Sequence, residues 1–248
     1  MTAAALPVPQ AGPSPSTVRR SLDVVRLQFI NRQTFVWVPL IVLCGAWLLN
    51  LLVYAIVVAN GGSGPMHSGA AQAPVWYFAV IGGQAMTLTF PFSQAMSLTR
   101  REFFLGTLAA AAVSSAGLAA VFVALGLLEL ATDGYGMQGY FAVIPDAWAH
   151  GPLGAGLAYF TLTMFFFVVG FWIMTVVRRF GALVAAAVLI GAALLLIGLI
   201  AIITAARAWG AVAAWIADAG PAGVSAGGLL LIAVLAAGSF LTLRRMPV

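Results

Sequence analysis

Long apolar runs separated by short polar segments form the dominant pattern of this chain. A helix needs about 20 residues to cross the hydrocarbon core of a membrane, and six runs are long enough. We place them at 35–58, 76–98, 103–128, 153–177, 181–205 and 224–243. The run at 181–205 is apolar on every side, which is typical of a membrane span and not of a surface helix in a soluble protein. The pattern predicts an all-α membrane protein with six transmembrane helices.

The first 33 residues carry two other patterns. Residues 1–17 are mostly Ala, Pro, Ser and Gly without charge, which predicts a disordered tail ahead of a membrane domain over 18–245. Residues 18–33 have a helical rhythm, with arginines on the remaining faces. The apolar positions of that rhythm are Val18, Leu22, Val25 and Phe29. It predicts an amphipathic helix lying in the membrane interface, and a solvated N-terminal arm is the alternative.

Composition narrows the class of protein. Of the 248 residues, 63% are hydrophobic and only 7% are charged, against about a quarter charged in a soluble domain. The net charge of +5 does not indicate nucleic acid, because all eleven basic residues are arginines and most lie in pairs beside apolar runs. The composition therefore predicts that most of the chain is embedded in lipid. The single cysteine, Cys44, excludes a disulfide within the chain.

The arginines predict the orientation of the bundle. Ten of the eleven fall before the first span, after the last span, or in the loops between spans two and three and between spans four and five. The opposite loops, at 59–75, 129–152 and 206–223, contain only Arg207 among basic residues. Since short arginine-bearing loops stay in the cytosol, both termini are expected there. The lack of lysine and the abundance of Ala, Gly and Val indicate a bacterial genome of high GC content, and hence a bacterial plasma membrane.

The second predicted span carries a polar stripe. Its members recur at spacings of three and four residues, which is one helical face, and two polar residues of the first span also share a face. The stripe is Gln84, Thr87, Pro91 and Gln94, and the pair in span one is Asn50 and Tyr54. These side chains either join helices by hydrogen bonds or line a translocation path or dimer seam. Pro91 is expected to kink the helix, so neighbours must bind the freed carbonyl.

Catalysis on this chain has little support in the sequence. Ser114 and Ser115 lie within a span that contains no histidine or lysine to activate them. His67 and His150 fall in loops without the accompanying cysteines or carboxylates of a metal site. A phosphate-binding loop requires lysine, and the chain contains none. We therefore expect no enzyme activity and no cofactor on this chain, and any ATP hydrolysis belongs to another polypeptide.

A charged turn joins the second and third predicted spans. It reads Leu98-Thr99-Arg100-Arg101-Glu102-Phe103-Phe104-Leu105-Gly106. Charges are costly in hydrocarbon, so this segment must surface, either to anchor the two helices or to dock a soluble partner. The run resembles the cytosolic turn between the second and third spans of ABC-2 type transporter permeases. Those proteins commonly have Ser/Thr-Arg-Arg/Lys-Glu-aromatic-aromatic-Leu-Gly at this place.

The resemblance implies a function. It covers about 18–245 and extends to the N-terminal interfacial helix, the six spans and a short broken apolar stretch at 206–223. It implies the membrane subunit of an ATP-driven exporter that forms its path as a homodimer or heterodimer. The ATP and magnesium would be held by separate ATPase subunits that grip Leu98–Phe104. The alternative is a six-span scaffold or assembly factor without transport, and an intramembrane hydrolase has the least support.

Overall fold

The computed structural model describes residues 24–26, 28, 33–96 and 98–244. Its helices, in chain order, are α1 (Val38–Ala59), α2 (Gln72–Gln84), α3 (Phe90–Ala95), α4 (Arg100–Ala131), α5 (Pro145–Trp148), α6 (Gly151–Phe180), α7 (Ala182–Ala205) and α8 (Trp209–Arg244). A π-helical turn, Gln33–Trp37, leads into α1. Five of the described helices are long and apolar enough to cross a membrane, namely Gln33–Ala59, α4, α6, α7 and α8. The prediction of an all-α, multi-pass membrane protein is thus confirmed at this level.

The predicted span at 76–98 is not one regular helix. It consists of α2, a π-helical turn over Ala85–Thr89, and α3. Pro91 has no N–H and cannot donate to the carbonyl of Thr87, four residues earlier. The guanidinium Nη2 of Arg178 donates to that oxygen at 3.1 Å. The expected kink is therefore a widened turn, and a side chain from the end of α6 binds the carbonyl that proline leaves free.

Helix α6 lies at the centre of the bundle and packs against α2, α4 and α8. Its crossing with α2 depends on glycine. A Cβ on Gly170 would stand 1.9 Å from the carbonyl oxygen of Ala79, and a Cβ on Gly82 would stand 2.0 Å from that of Phe167. The two backbones touch directly, as small residues allow in membrane helices. Any larger side chain at either glycine must push the helices apart.

Helix α7 stands apart from this core. Ala185 is its only buried residue, and a Cβ on Gly191 or Gly198 would meet open space. Small residues on α7 therefore do not form a packing face inside the described chain, except at Ala185. The surface of α7 is left for lipid or for another protein.

The end of the bundle opposite the charged turn has two short irregular connections. One lies between α1 and α2 and contains strand β1 (Met66–His67), and the other follows α4 and contains strand β2 (Gly139–Tyr140). The two strands pair in parallel and so join the two connections. The helical course of α8 breaks at Gly220, which has φ 62° and precedes Pro221. The broken apolar stretch predicted at 206–223 thus contains a short helical segment that begins at Trp209 and breaks at Gly220, before the long part of α8.

Only a few residues of the predicted interfacial helix are described, and the predicted tail at 1–17 lies outside the described residues. Val24 and Gln28 are buried. Gln28 donates through Nε2 to Thr107 Oγ1 at 3.1 Å and accepts from Thr89 Oγ1 at 3.5 Å. The described part of the segment therefore packs against the bundle through Val24 and Gln28, while Val25 of the predicted apolar side is half-buried.

Candidate functional site

The charged turn begins helix α4 through a reciprocal cap. Thr99 Oγ1 accepts from the backbone N–H of Glu102 at 3.2 Å, and Glu102 Oε2 accepts from the backbone N–H of Thr99 at 2.9 Å. This capping box satisfies two N–H groups that the first turn of a helix otherwise leaves free. The carboxylate of Glu102 is also buried at the positive end of the helix dipole. The side chain of Glu102 therefore serves to cap the start of α4.

The aromatic pair of the turn points into the bundle. Phe103 is fully buried and Phe104 is 8% exposed. The ring centroid of Phe103 lies 5.1 Å from that of Phe90, and the centroid of Phe104 lies 5.1 Å from that of Phe240. Since these rings pack within the chain, they offer little contact area to a soluble partner. Leu98 is half-buried, and the exposed members of the predicted docking turn are Thr99 and Arg101.

Arginines from the start of α4 and the end of α6 converge on the last turn of α8. Arg100 Nη1 donates to the carbonyls of Leu243 at 3.2 Å and Arg244 at 3.1 Å. Arg179 Nη1 donates to the carbonyl of Thr242 at 3.2 Å. The last carbonyls of a helix lack partners within it and carry partial negative charge, so guanidinium groups fit them well. The turn, the end of α6 and the end of α8 are thereby tied together.

The polar stripe has a less uniform setting. Gln84 and Thr87 are half-buried, whereas Pro91 and Gln94 are exposed. Thr87 Oγ1 donates to the carbonyl of Gly83 in its own helix at 3.3 Å. Gln94 Nε2 donates to the carbonyl of Leu98 at 3.3 Å. Part of the stripe thus supports the local backbone, and the rest is open to lipid or another protein.

The two polar residues of α1 bond away from that stripe. Asn50 Nδ2 donates to the carbonyl of Ala46 in its own helix at 2.8 Å. The hydroxyl of Tyr54 donates to the carbonyl of Tyr140 in β2 at 3.0 Å. Tyr54 therefore supports the connection between α4 and α6. The described hydrogen bonds do not join α1 to the stripe.

One polar group with five hydrogen bonds, the carboxylate of Glu129, was missed by sequence reasoning. Glu129 is fully buried near the end of α4. Its Oε1 accepts from the backbone N–H groups of Phe141 at 3.2 Å and Ala142 at 3.1 Å. Its Oε2 accepts from those of Ala142 at 2.9 Å and Val143 at 3.0 Å. One carboxylate thus holds three consecutive backbone N–H groups, which a segment without regular structure could not otherwise pair.

Tyrosine and tryptophan side chains extend the contacts of Glu129. The hydroxyl of Tyr135 donates to Glu129 Oε1 at 3.4 Å and accepts from Trp47 Nε1 at 2.9 Å. Burial, and then the nearby Glu129 carboxylate, raise the pKa of Tyr135 above its usual range. Tyr159 and Trp148 both donate to the carbonyl of Ala142. Helices α1, α4 and α6 therefore all contact the segment that follows Glu129.

The sequence contains only a weak signal for this cluster. Glu129 ends an uncharged run and precedes a segment rich in Gly and Tyr, and that pattern is equally typical of a solvated loop. What distinguishes the residue is the return of 141–143 over the end of α4, which is long-range information. No protein-family model matches the chain, and no curated protein and no solved structure matches it.

Proposed function

We propose that this chain is the membrane subunit of an ATP-driven exporter in a bacterial plasma membrane. In this proposal the segment 72–95 is a sixth span, both termini are cytosolic, and two subunits enclose the path. Separate ATPase subunits bind ATP and magnesium and drive the transport cycle. The proposal starts from the resemblance of Leu98–Gly106 to the cytosolic turn of ABC-2 type permeases.

The observation that carries the proposal is the construction of the charged turn. A coupling element must be rigid and must connect to more than one span, because it passes a displacement from a soluble motor to the membrane helices. The capping box of Thr99 and Glu102 fixes the start of α4. Arg100 ties that start to the end of α8, and Arg179 ties the end of α6 to the same place. Force applied to the turn would therefore reach three helices.

The surface available for docking differs from the one expected from the sequence alone. With Phe103 and Phe104 buried, an ATPase would contact the exposed Arg101 and the exposed residues before the turn, Gln94 and Met96. An exposed ion pair at Arg101 contributes only about 0–1 kcal/mol. Reversing that charge adds repulsion to the loss of the pair, so a charge reversal is a sharper test than truncation.

Two exposed surfaces of the chain support dimer formation, in addition to the resemblance. The exposed side of the segment 72–95 presents large apolar residues and Gln94, and within the described part of the chain α7 is fully buried only at Ala185. A second copy or a different permease can occupy either surface. Small residues such as Gly191 and Gly198 on α7 permit close helix approach.

The test begins with purification of the tagged chain from its native membrane and identification of the proteins that accompany it. An ATPase subunit should co-purify, and the complex should hydrolyse ATP. Arg101→Glu should insert and fold normally but lose the partner and the hydrolysis. The matched control is Arg207→Glu, an exposed arginine in the loop between α7 and α8, which should retain both.

Three outcomes would contradict parts of the proposal. If no nucleotide-hydrolysing protein accompanies the chain, the scaffold alternative is favoured. If the ATPase binds and hydrolyses ATP equally well with Arg101→Glu, the docking surface is not the charged turn. Loss of the complex with Arg207→Glu and not with Arg101→Glu would place the contact at the other end of the bundle.

A further inference from the structure

We propose that residues 133–143 form a lid that closes the end of the bundle opposite the charged turn, with Glu129 as its latch. The inference concerns conformational change within this chain and requires no ATPase. If the chain is an exporter, this lid would close the exit of the path, and in that respect alone the idea rests on the proposed function.

The first observation is where the lid lies. Phe141 and Ala142 are almost completely buried, and the ring of Phe141 stacks near that of Phe122 on α4 with 6.4 Å between centroids. Tyr54 of α1 and Tyr159 of α6 bond to lid carbonyls. Residues 139–143 therefore cover the space where the ends of α1, α4 and α6 meet. Displacing them would uncover a buried carboxylate and buried aromatic rings.

The second observation is that a single side chain holds the lid through its backbone N–H groups. Both oxygens of Glu129 accept from the N–H groups of residues 141–143, and Tyr135 donates to the same carboxylate. When these bonds are lost, three buried N–H groups lose their partner together, and a buried group without a partner is strongly unfavourable. The lid must therefore open as a unit, because the bonds share one acceptor.

The third observation is strain at one end of the lid. Asp133, Tyr135 and Gln138 have φ of 48°, 61° and 54°, and Gly134 and Gly136 also have positive φ. Non-glycine residues rarely adopt this left-handed conformation, because Cβ crowds the following carbonyl. Such strain persists only where other contacts impose it, and it is released when they are broken. The closed lid is thus opposed by its own backbone and held by Glu129, by the bonds of Tyr54 and Tyr159 and by the pairing of β1 with β2, which is the condition for two alternative states.

The experiment measures exposure of a cysteine placed on the inner side of the lid. The reporter is Ala142→Cys in a Cys44→Ser background, reconstituted in phosphatidylglycerol nanodiscs and reacted with a charged maleimide. Labelling should be slow in this parent. It should be at least tenfold faster after Glu129→Gln, because the NH2 group of the glutamine amide is a donor and cannot accept from the N–H groups of the lid. Asp218→Asn, a change at an exposed carboxylate at the same end of the bundle but outside the lid, should leave the rate within twofold of the parent.

A second variant tests the strain from the opposite direction. Gln138→Gly removes the left-handed penalty in the closed state at an exposed residue. A penalty of that kind corresponds to a factor of about 5–30 in an equilibrium, and the added freedom of glycine in the open state reduces it. We expect labelling of Ala142→Cys to become about fivefold slower.

A reporter in the core separates opening of the lid from general loosening. Ala155→Cys lies at a fully buried position of α6, and its labelling should stay slow in every variant. The proposal fails if Glu129→Gln leaves the Ala142→Cys rate unchanged, or accelerates both reporters equally. It also fails if Gln138→Gly accelerates labelling of the lid. None of these results depends on whether an ATPase binds, so the exporter proposal is tested separately.

Discussion

The crossing of α2 and α6 gives the most quantitative prediction. Replacing Gly170 by alanine places a Cβ 1.9 Å from the carbonyl oxygen of Ala79, whereas ordinary contact begins at 3.4 Å. Neither atom belongs to a flexible side chain, so the helices must separate locally by about 1.5 Å. Forcing one additional carbon into a packed core costs about 1–3 kcal/mol. For a protein of this size, that lowers the melting temperature by roughly 2–12 °C.

The same geometry predicts that a second substitution adds little. Gly82→Ala creates a clash at 2.0 Å with the carbonyl of Phe167 at the same crossing. Once the helices have moved apart for Gly170→Ala, most of the space for the second Cβ already exists. The double variant should therefore lose less stability than the sum of the two single variants, as residues that share one structural shift do.

The assay is thermal unfolding in detergent. Unfolding is monitored as the fraction of heated protein that remains monodisperse on size-exclusion chromatography. The control is Gly191→Ala on α7, where a Cβ meets open space. Alanine is more favourable than glycine within a helix, so this variant should be unchanged or slightly more stable. A Gly170→Ala protein as stable as the control, or strictly additive losses in the double variant, would refute direct backbone contact at the crossing.

Two further predictions concern the charged turn and the topology. Arg100→Ala should increase hydrogen exchange at the last turn of α8, because the carbonyls of that turn lose a hydrogen-bond donor. Arg178→Ala is the control, since Arg178 bonds to Thr87, and it should leave exchange at that turn unchanged. Exchange is measured by mass spectrometry of the C-terminal peptide. In a Cys44→Ser background, a cysteine at Asp218 should react with an impermeant thiol reagent added to intact cells, and one at Thr99 should not. Labelling of Thr99 from outside would overturn the orientation.

The sequence by itself determined the class of protein and several local structures. Apolar runs of sufficient length specify membrane helices, because hydrocarbon leaves backbone groups no partner outside the helix. Thr99 and Glu102, three residues apart, form a capping box that involves only its own backbone, and it starts α4 three residues before the apolar run predicted from 103. Pro91 specifies a disturbed turn, because the missing N–H is a property of that residue. In each case the physical cause lies within a few residues of its effect.

The tertiary structure decided which side chains face which neighbours. Phe103 was expected at a docking surface and is buried, because the position of α6 and not the turn itself determines its surroundings. Gly82 and Gly170 could be recognised as small residues, but only their contact distances make them the crossing point. Glu129 looked like a loop acid, yet it binds N–H groups twelve to fourteen residues later. Such pairings depend on how the chain returns on itself, and a single sequence carries no local trace of that return.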